Sequence, residues 1–154
     1  MSKKSAGIIL FRTIAEELKV LLVHPGGPFY LKKDIGCWSI PKGEFTDSEN
    51  AMNAAIRELQ EETGIIISGE TLIELTPIHQ KSGKIVFAWA LNKDIDAEQI
   101  VSNTFEIEWP PKSGILKTFA EIDKAAWFNL KDARQKILPA QISLLTELEA
   151  ILLN

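Results

Sequence analysis

One cysteine in 154 residues, Cys37, leaves no partner for an internal disulfide. That suits a reducing compartment and makes the thiol most simply a packed side chain rather than a nucleophile. Long apolar runs are missing as well. The stretch that follows Lys3 and Lys4, Ile8 to Phe11, is far too short for a signal peptide or a membrane span, so a cytoplasmic protein without a membrane partner is expected. A basic excess is also lacking: the net charge is −4 and the pI near 5.3. A DNA- or RNA-binding surface needs a lysine and arginine footprint, so a small molecule is the expected partner and DNA is not. Repeats, low-complexity tracts and linker-like segments are absent, and 45% hydrophobic with 25% charged side chains fit a single domain over 1–154 with a proper core.

Against these absences stands one dense stretch, Gly43 to Ile65, GEFTDSENAMNAAIRELQEETGI. Glu58, Glu61 and Glu62 are spaced by three and four residues, which at 100° per residue puts them within a helical arc of roughly 100°. Met52, Ala55, Ile56 and Leu59 form a second arc roughly 130° away. One face is thus expected to pack on a core while the other offers carboxylates. Like charges at this spacing work against a helix by a few tenths of a kcal/mol per pair, and the nearest basic side chain, Arg57, lies to one flank. A hard divalent cation is the more economical neutraliser, and Mg²⁺ commonly takes one or two carboxylates together with waters and substrate phosphates. A Mg²⁺-dependent reaction on a phosphate ester or anhydride is therefore expected.

Thr46-Asp47-Ser48-Glu49 reads as a capping box, with Gly64 at the position of a left-handed C-cap. Those signals predict a helix from about Asp47 or Ser48 to Thr63. Gly43, five residues, Glu49, seven residues, then Arg57-Glu58-Leu59-Gln60-Glu61-Glu62-Thr63-Gly64-Ile65 resembles the complete signature of the Nudix (MutT-like) hydrolases, with no position missing. The resemblance implies an α/β (α+β) fold, a helix–sheet–helix sandwich around a mixed β-sheet. It also implies that Glu58, Glu61 and Glu62 hold Mg²⁺, with Mn²⁺ as a substitute, that Glu49 supports the cluster, and that Arg57 orients the glutamates by charge-assisted hydrogen bonds. A metal-activated water would attack one phosphorus of a diphosphate linkage. One of Glu61, Glu62, Glu106 or Glu108 would accept its proton, because many members of the family take a further ligand or base from a late strand or loop.

Trp38-Ser39-Ile40-Pro41-Lys42-Gly43 leads into the signature and is similar to the Nudix groups that cleave dinucleoside polyphosphates and diphosphoinositol phosphates. Lys42 is expected to meet a substrate phosphate as a point charge, and Gly43 to let the backbone carbonyl approach a cation. The expected substrate is a dinucleoside polyphosphate of the diadenosine tetraphosphate type. The tyrosine that such enzymes share shortly after the signature is absent, since 66–83 contains none. ADP-ribose, a nucleoside triphosphate and capped RNA stand as alternatives. A non-catalytic nucleotide-sensing Nudix module is a reading of a different class, distinguished by tight binding without turnover.

Along the rest of the chain, Ser5 to Arg12 and Leu18 to His24 read as strands joined at Thr13–Glu17, with Val20 to Val23 apolar on both faces and therefore central. His24-Pro25-Gly26-Gly27-Pro28 must be an irregular loop. It delivers Phe29 and Tyr30; Tyr30 is a candidate for stacking on a base, and Trp38 a candidate for contact with the substrate. Thr71 to Gln80 and Lys84 to Leu91 read as strands, and Asn92 to Val101 as a loop or short helix. Phe105, Ile107 and Trp109 alternate with Glu106 and Glu108, a half-buried strand. Trp109 to Gly114 is a rigid turn that offers Lys112 to a substrate. Ala125 to Leu130 is the expected last strand, with helical segments through 133–137 and 139–153. Trp89 and Trp109 are expected in the core, and a monomer and a homodimer are both compatible with the sequence.

Overall fold

The computed structural model describes residues 3–153. Its strands are β1 (Lys4–Ile14), β2 (Glu17–Pro25), β3 (Lys42–Phe45), β4 (Ile73–Glu74), β5 (Ile78–His79), β6 (Ile85–Asn92), β7 (Thr104–Glu108), β8 (Leu116–Ala120) and β9 (Ile122–Asn129). Its α-helices are α1 (Ala51–Thr63), α2 (Leu130–Lys136) and α3 (Ile142–Leu153).

Because side chains alternate along a strand, β1 serves two cores. Ala6, Ile8 and Leu10 face Ala54, Ala55 and Leu59 of α1, while Ile9 and Phe11 face Leu144, Leu145 and Leu148 of α3. The result is a helix–sheet–helix sandwich. Burial on both sides explains why β1 and β2 are near-continuous apolar runs, with Val20 to Val23 at most 1% exposed. The main sheet is mixed: its order is β4-β6-β1-β2-β9, with β1 parallel to β6 and antiparallel to β2. Strand β3 pairs antiparallel with the start of β1, Ala6 opposite Gly43. That pairing lays the beginning of the acidic segment across the sheet, directly under α1.

Three expectations about elements are corrected. The helix starts at Ala51 rather than Asp47 or Ser48, because Asn50 is the cap: its Oδ1 accepts the Asn53 N–H at 2.8 Å. Thr46 Oγ1 instead pairs with Ser48 Oγ at 2.7 Å, and Glu49 turns to Arg57. Gly64 does close the helix in the left-handed region, at φ 82°. Met52 is 43% exposed and does not belong to the packed face. The segment 71–80 is two short strands, not one, since Pro77 interrupts the ladder between them.

Strands β7 and β8 form a separate two-stranded ribbon, and neither pairs with the main sheet. Its feet, Asn103 and Glu121, stand beside the end of α1. A two-stranded ribbon is marginal by itself, and this one leans on the loop after β2.

Candidate active site

Where β3 passes beneath α1 the two elements can approach only because residue 43 is glycine. A Cβ there would lie 2.0 Å from Glu58 Oε2. Glu58 and Glu62, one turn apart, are therefore drawn under the strand, and each is only 8% exposed. The expected separation into an apolar and a solvent-facing acidic side is thus corrected: two of the three glutamates belong to the buried face of α1. Glu62 Oε1 accepts the Lys42 N–H at 3.4 Å, a long bond.

Arg57 gathers the other oxygens. Its Nη2 and Nε donate to the two oxygens of Glu49 at 2.6 and 3.2 Å, and its Nη1 donates to Glu58 Oε1 and to Glu61 Oε2, both at 2.9 Å. One guanidinium thus holds three carboxylates in fixed directions, an arrangement that its planar fork allows and a lysine would not. Among the described residues no three His, Cys, Asp or Glu side chains converge as ready metal ligands, so the gathering of Glu58, Glu61 and Glu62 expected from their spacing is not formed with Arg57 bonded to Glu58 and Glu61.

The electrostatics mark Glu62 as the most perturbed acid. Burial, with the neighbouring charge of Glu58 second, pushes its pKa up to about 8. Glu58 is also raised, chiefly by burial, although Arg57 opposes the shift. Glu49 is lowered by its bond to Arg57. Lys42 is lowered by burial, with Lys84 as a second, like-charged cause. A further acid, Glu121, adds its negative charge to both Glu58 and Glu62. An oxygen-only donor set whose burial opposes ionisation suits a hard divalent cation, and Gly43 leaves the backbone open beside it.

Glu121 was missed by sequence reasoning, which placed the late acid at Glu106 or Glu108. All three acids are exposed, but only Glu121 adds its charge to both Glu58 and Glu62. Glu108 is spent on the turn, accepting the N–H groups of Lys112 at 2.7 Å and Gly114 at 3.2 Å. Glu121 is fixed by its backbone instead: its N–H donates to Asn103 O at 2.8 Å and its carbonyl accepts the Gly26 N–H at 2.7 Å, while the Asn103 N–H donates to Glu61 O at 2.9 Å. Those bonds join the helix, the ribbon and the loop at one point.

Trp38 does not face a substrate, which corrects that expectation. It is 4% exposed, its Nε1 donates to Asp34 Oδ1 at 2.8 Å, and its ring stacks edge-on with Phe128 at 5.0 Å and with His24 at 5.2 Å. His24 is fully buried, with its ring nitrogens 2.7 Å from Asp123 Oδ1 and 2.7 Å from Lys33 O. Together these contacts anchor the loop between β2 and β3. The buried Gln141 steadies the lead-in, since its Oε1 accepts the Ile40 N–H at 3.0 Å. Tyr30 is 40% exposed on the loop, with Lys33 Nζ 5.4 Å from its ring centroid. Lys112 is exposed at the ribbon tip. With five residues in each ribbon strand, the tip stands roughly 17 Å from the feet, which is too far for Lys112 to touch a phosphorus held at Glu58 and Glu62. Cys37 is half-buried, and burial pushes its thiol pKa up, away from reactivity.

The NUDIX domain model matches residues 1–148, and this chain belongs to that family. Its members generally use divalent metal ions, in keeping with the donor set just described. Two curated relatives are each called bis(5′-nucleosyl)-tetraphosphatase (asymmetrical). The Rattus norvegicus protein is 39% identical over 67 residues, covering 40% of this chain and 46% of that one. The Caenorhabditis elegans protein is 32% identical over 93 residues, covering 60% and 59%. The chain therefore matches about half the length of these curated relatives. The solved structure of a C. elegans Ap4A hydrolase binary complex aligns over 97% of both chains with a TM-score of 0.66 and 26% identity. No α-helix among the described residues is long and apolar enough to cross a membrane.

Proposed function

We propose that this chain is a Mg²⁺-dependent pyrophosphohydrolase that cleaves a diphosphate linkage in a nucleotide substrate, with a dinucleoside polyphosphate of the diadenosine tetraphosphate type as the best candidate. The observation that carries this reading is the buried carboxylate pair Glu58–Glu62 beneath Gly43, with Arg57 holding Glu49, Glu58 and Glu61. The two bis(5′-nucleosyl)-tetraphosphatases support the choice of substrate class.

Glu58, Glu61 and Glu62 are the residues that would hold Mg²⁺, with Glu121 nearby and Glu49 acting through Arg57. When bound, the cation supplies Lewis acidity at a phosphoryl oxygen and a more acidic attacking water. Arg57 keeps the carboxylates of Glu49, Glu58 and Glu61 pointed, and Glu58 and Glu61 would offer oxygen to the cation. Lys42 lies against the same cluster and presents positive charge to the substrate phosphates. One of Glu61, Glu62, Glu106 or Glu108 would accept the proton of the attacking water. Burial of Glu58 and Glu62 keeps bulk water from screening them.

The test is product release, with Mg²⁺, from diadenosine tetraphosphate, ADP-ribose, nucleoside triphosphates, diphosphoinositol phosphates and capped RNA, with Glu61→Gln beside the wild type. Cleavage of diadenosine tetraphosphate into two nucleotides, lost in the variant, is the expected result. Tight binding of a nucleotide with no turnover in Mg²⁺ or Mn²⁺ would replace the hydrolase by a sensor.

A further inference from the structure

The β7–β8 ribbon takes no part in the main sheet, yet its feet are bonded to the most acidic part of the molecule. The Asn103 N–H reaches Glu61 O, the Val101 N–H reaches Thr63 O at 2.9 Å, and Glu121 bridges Asn103 to Gly26. A ribbon serving only as scaffold would be expected to pair with a sheet edge or cover one. This one projects from the carboxylate site and meets the loop that leaves β2. At Gly26 a Cβ would lie 2.0 Å from Ala120 O, and at Gly27, where φ is +92°, it would lie 2.8 Å from the Phe105 ring. Glycines at both positions let loop and ribbon close against each other. Further out, Phe29 meets Trp109 edge-on, with centroids 5.3 Å apart.

The surface these two segments share is unlike the rest of an acidic protein. Phe29 is 56% exposed and Leu31 70%, apolar side chains open to a ligand. Lys32, Lys33, Lys112 and Lys117 are exposed among them. Aromatic faces interleaved with lysines suit one chemistry in particular: a planar base stacked on a ring, joined to a phosphate chain. The acids on the ribbon do not cancel this, since Glu108 is engaged by the turn and Glu106 lies on the strand face opposite Phe105.

We propose that the loop at 26–36 and the β7–β8 ribbon form a substrate arm in which Phe29 and Trp109 stack the base of a nucleotide whose diphosphate lies at Glu58 and Glu62, with Lys112 and its neighbours meeting phosphates beyond the scissile one. This rests on the hydrolase reading for its substrate class, but the binding role can be measured without turnover. It assigns specificity to a region about 17 Å long that stands outside the signature.

The experiment compares wild type, Phe29→Ala and Trp109→Ala in two assays. Dissociation constants are measured calorimetrically for ATP and for inorganic tripolyphosphate, which carries the phosphates without the base, both with Ca²⁺. Steady-state hydrolysis of diadenosine tetraphosphate is followed with Mg²⁺, and thermal melting confirms that each variant folds. The arm predicts a loss of ATP affinity of about tenfold or more in both variants, with tripolyphosphate affinity unchanged within twofold. The Michaelis constant for diadenosine tetraphosphate rises in parallel, with little change in kcat. Wild-type affinity for ATP in both variants overturns the arm and leaves the hydrolase reading intact if turnover persists. An equal fall for ATP and tripolyphosphate overturns the base-stacking role. Base-selective binding through Trp109 without turnover of any nucleotide sustains the arm and overturns the hydrolase. Wild-type protein that neither binds nor cleaves a nucleotide overturns both.

Discussion

The helix α1 and the β7–β8 ribbon flank Glu121, and they are held by opposite means. On the helix side, two glutamates are buried to 8% exposure, a glycine is wedged beneath them, and one arginine spans three carboxylates. On the ribbon side, the contacts are edge-on aromatic pairs, backbone bonds at the feet and a self-contained turn closed by Glu108. The first arrangement suits groups that must stay within a fraction of an ångström of one geometry while a phosphorus reacts. The second has fewer buried polar constraints and suits contact with the rest of a substrate. If reaction type resides in the helix and substrate choice in the ribbon, as proposed, substitutions on the two sides should fail in different ways.

The largest difference is expected for Glu62→Gln. Replacing the most perturbed carboxylate should reduce kcat by about 10²–10⁴-fold while the protein stays folded, as kinetics and thermal melting together would show. A variant retaining wild-type kcat would break the comparison on its helix side. Gly43→Ala comes next: the added methyl group must displace the Glu58 carboxylate, and a loss of activity of about 10–100-fold with about 1–3 kcal/mol of destabilisation is expected by denaturant titration. By contrast, Gly26→Ala forces apart the loop and the ribbon at Ala120 O. Its main effect should be a several-fold rise in the Michaelis constant.

A pH titration sharpens the same contrast through stability. Glu62 has a folded-state pKa of about 8 against 4.5 for the unfolded chain. The folded protein therefore binds this proton more tightly, and its contribution is fully present below pH 4.5 and lost as pH rises towards 8. Without divalent cations the melting temperature should fall across that window, by an amount on the order of a few kcal/mol of stability. Glu62→Gln should flatten the slope, while Trp109→Ala should leave it as it is. The smallest effect is expected for Glu106→Gln, an exposed ribbon residue, where kcat should change by less than twofold. A hundredfold loss there would return the late acid to the strand.

Much of the helix side was legible in the sequence because local chemistry dictates it. Gly64 ends α1 in the left-handed region, the spacing of 58, 61 and 62 places the glutamates on neighbouring turns of α1, and the apolar run of Val20 to Val23 announces a strand covered on both sides. The start of α1 was not: Thr46–Glu49 reads as a capping box, but Arg57 engages Glu49 and the cap falls to Asn50. Burial of Glu58 and Glu62 was hidden as well, because it arises from β3 passing under α1, a long-range pairing of Gly43 with Ala6. Glu121 carries no local signal at all. Its place follows from the ribbon that returns the chain to Asn103, and the Phe–Glu–Ile–Glu–Trp alternation drew attention to acids that the ribbon carries outward.

The most direct test of the central claim, that the carboxylates of α1 carry a metal-dependent hydrolysis, is the rate of diadenosine tetraphosphate cleavage at fixed pH as Mg²⁺ is titrated, for wild type and Glu62→Gln side by side. The account predicts saturable activation by Mg²⁺ in the wild type, abolition by chelation, and a loss of at least about a hundredfold in the variant at every metal concentration. Equal cleavage by the two proteins, or cleavage indifferent to chelation, would contradict it.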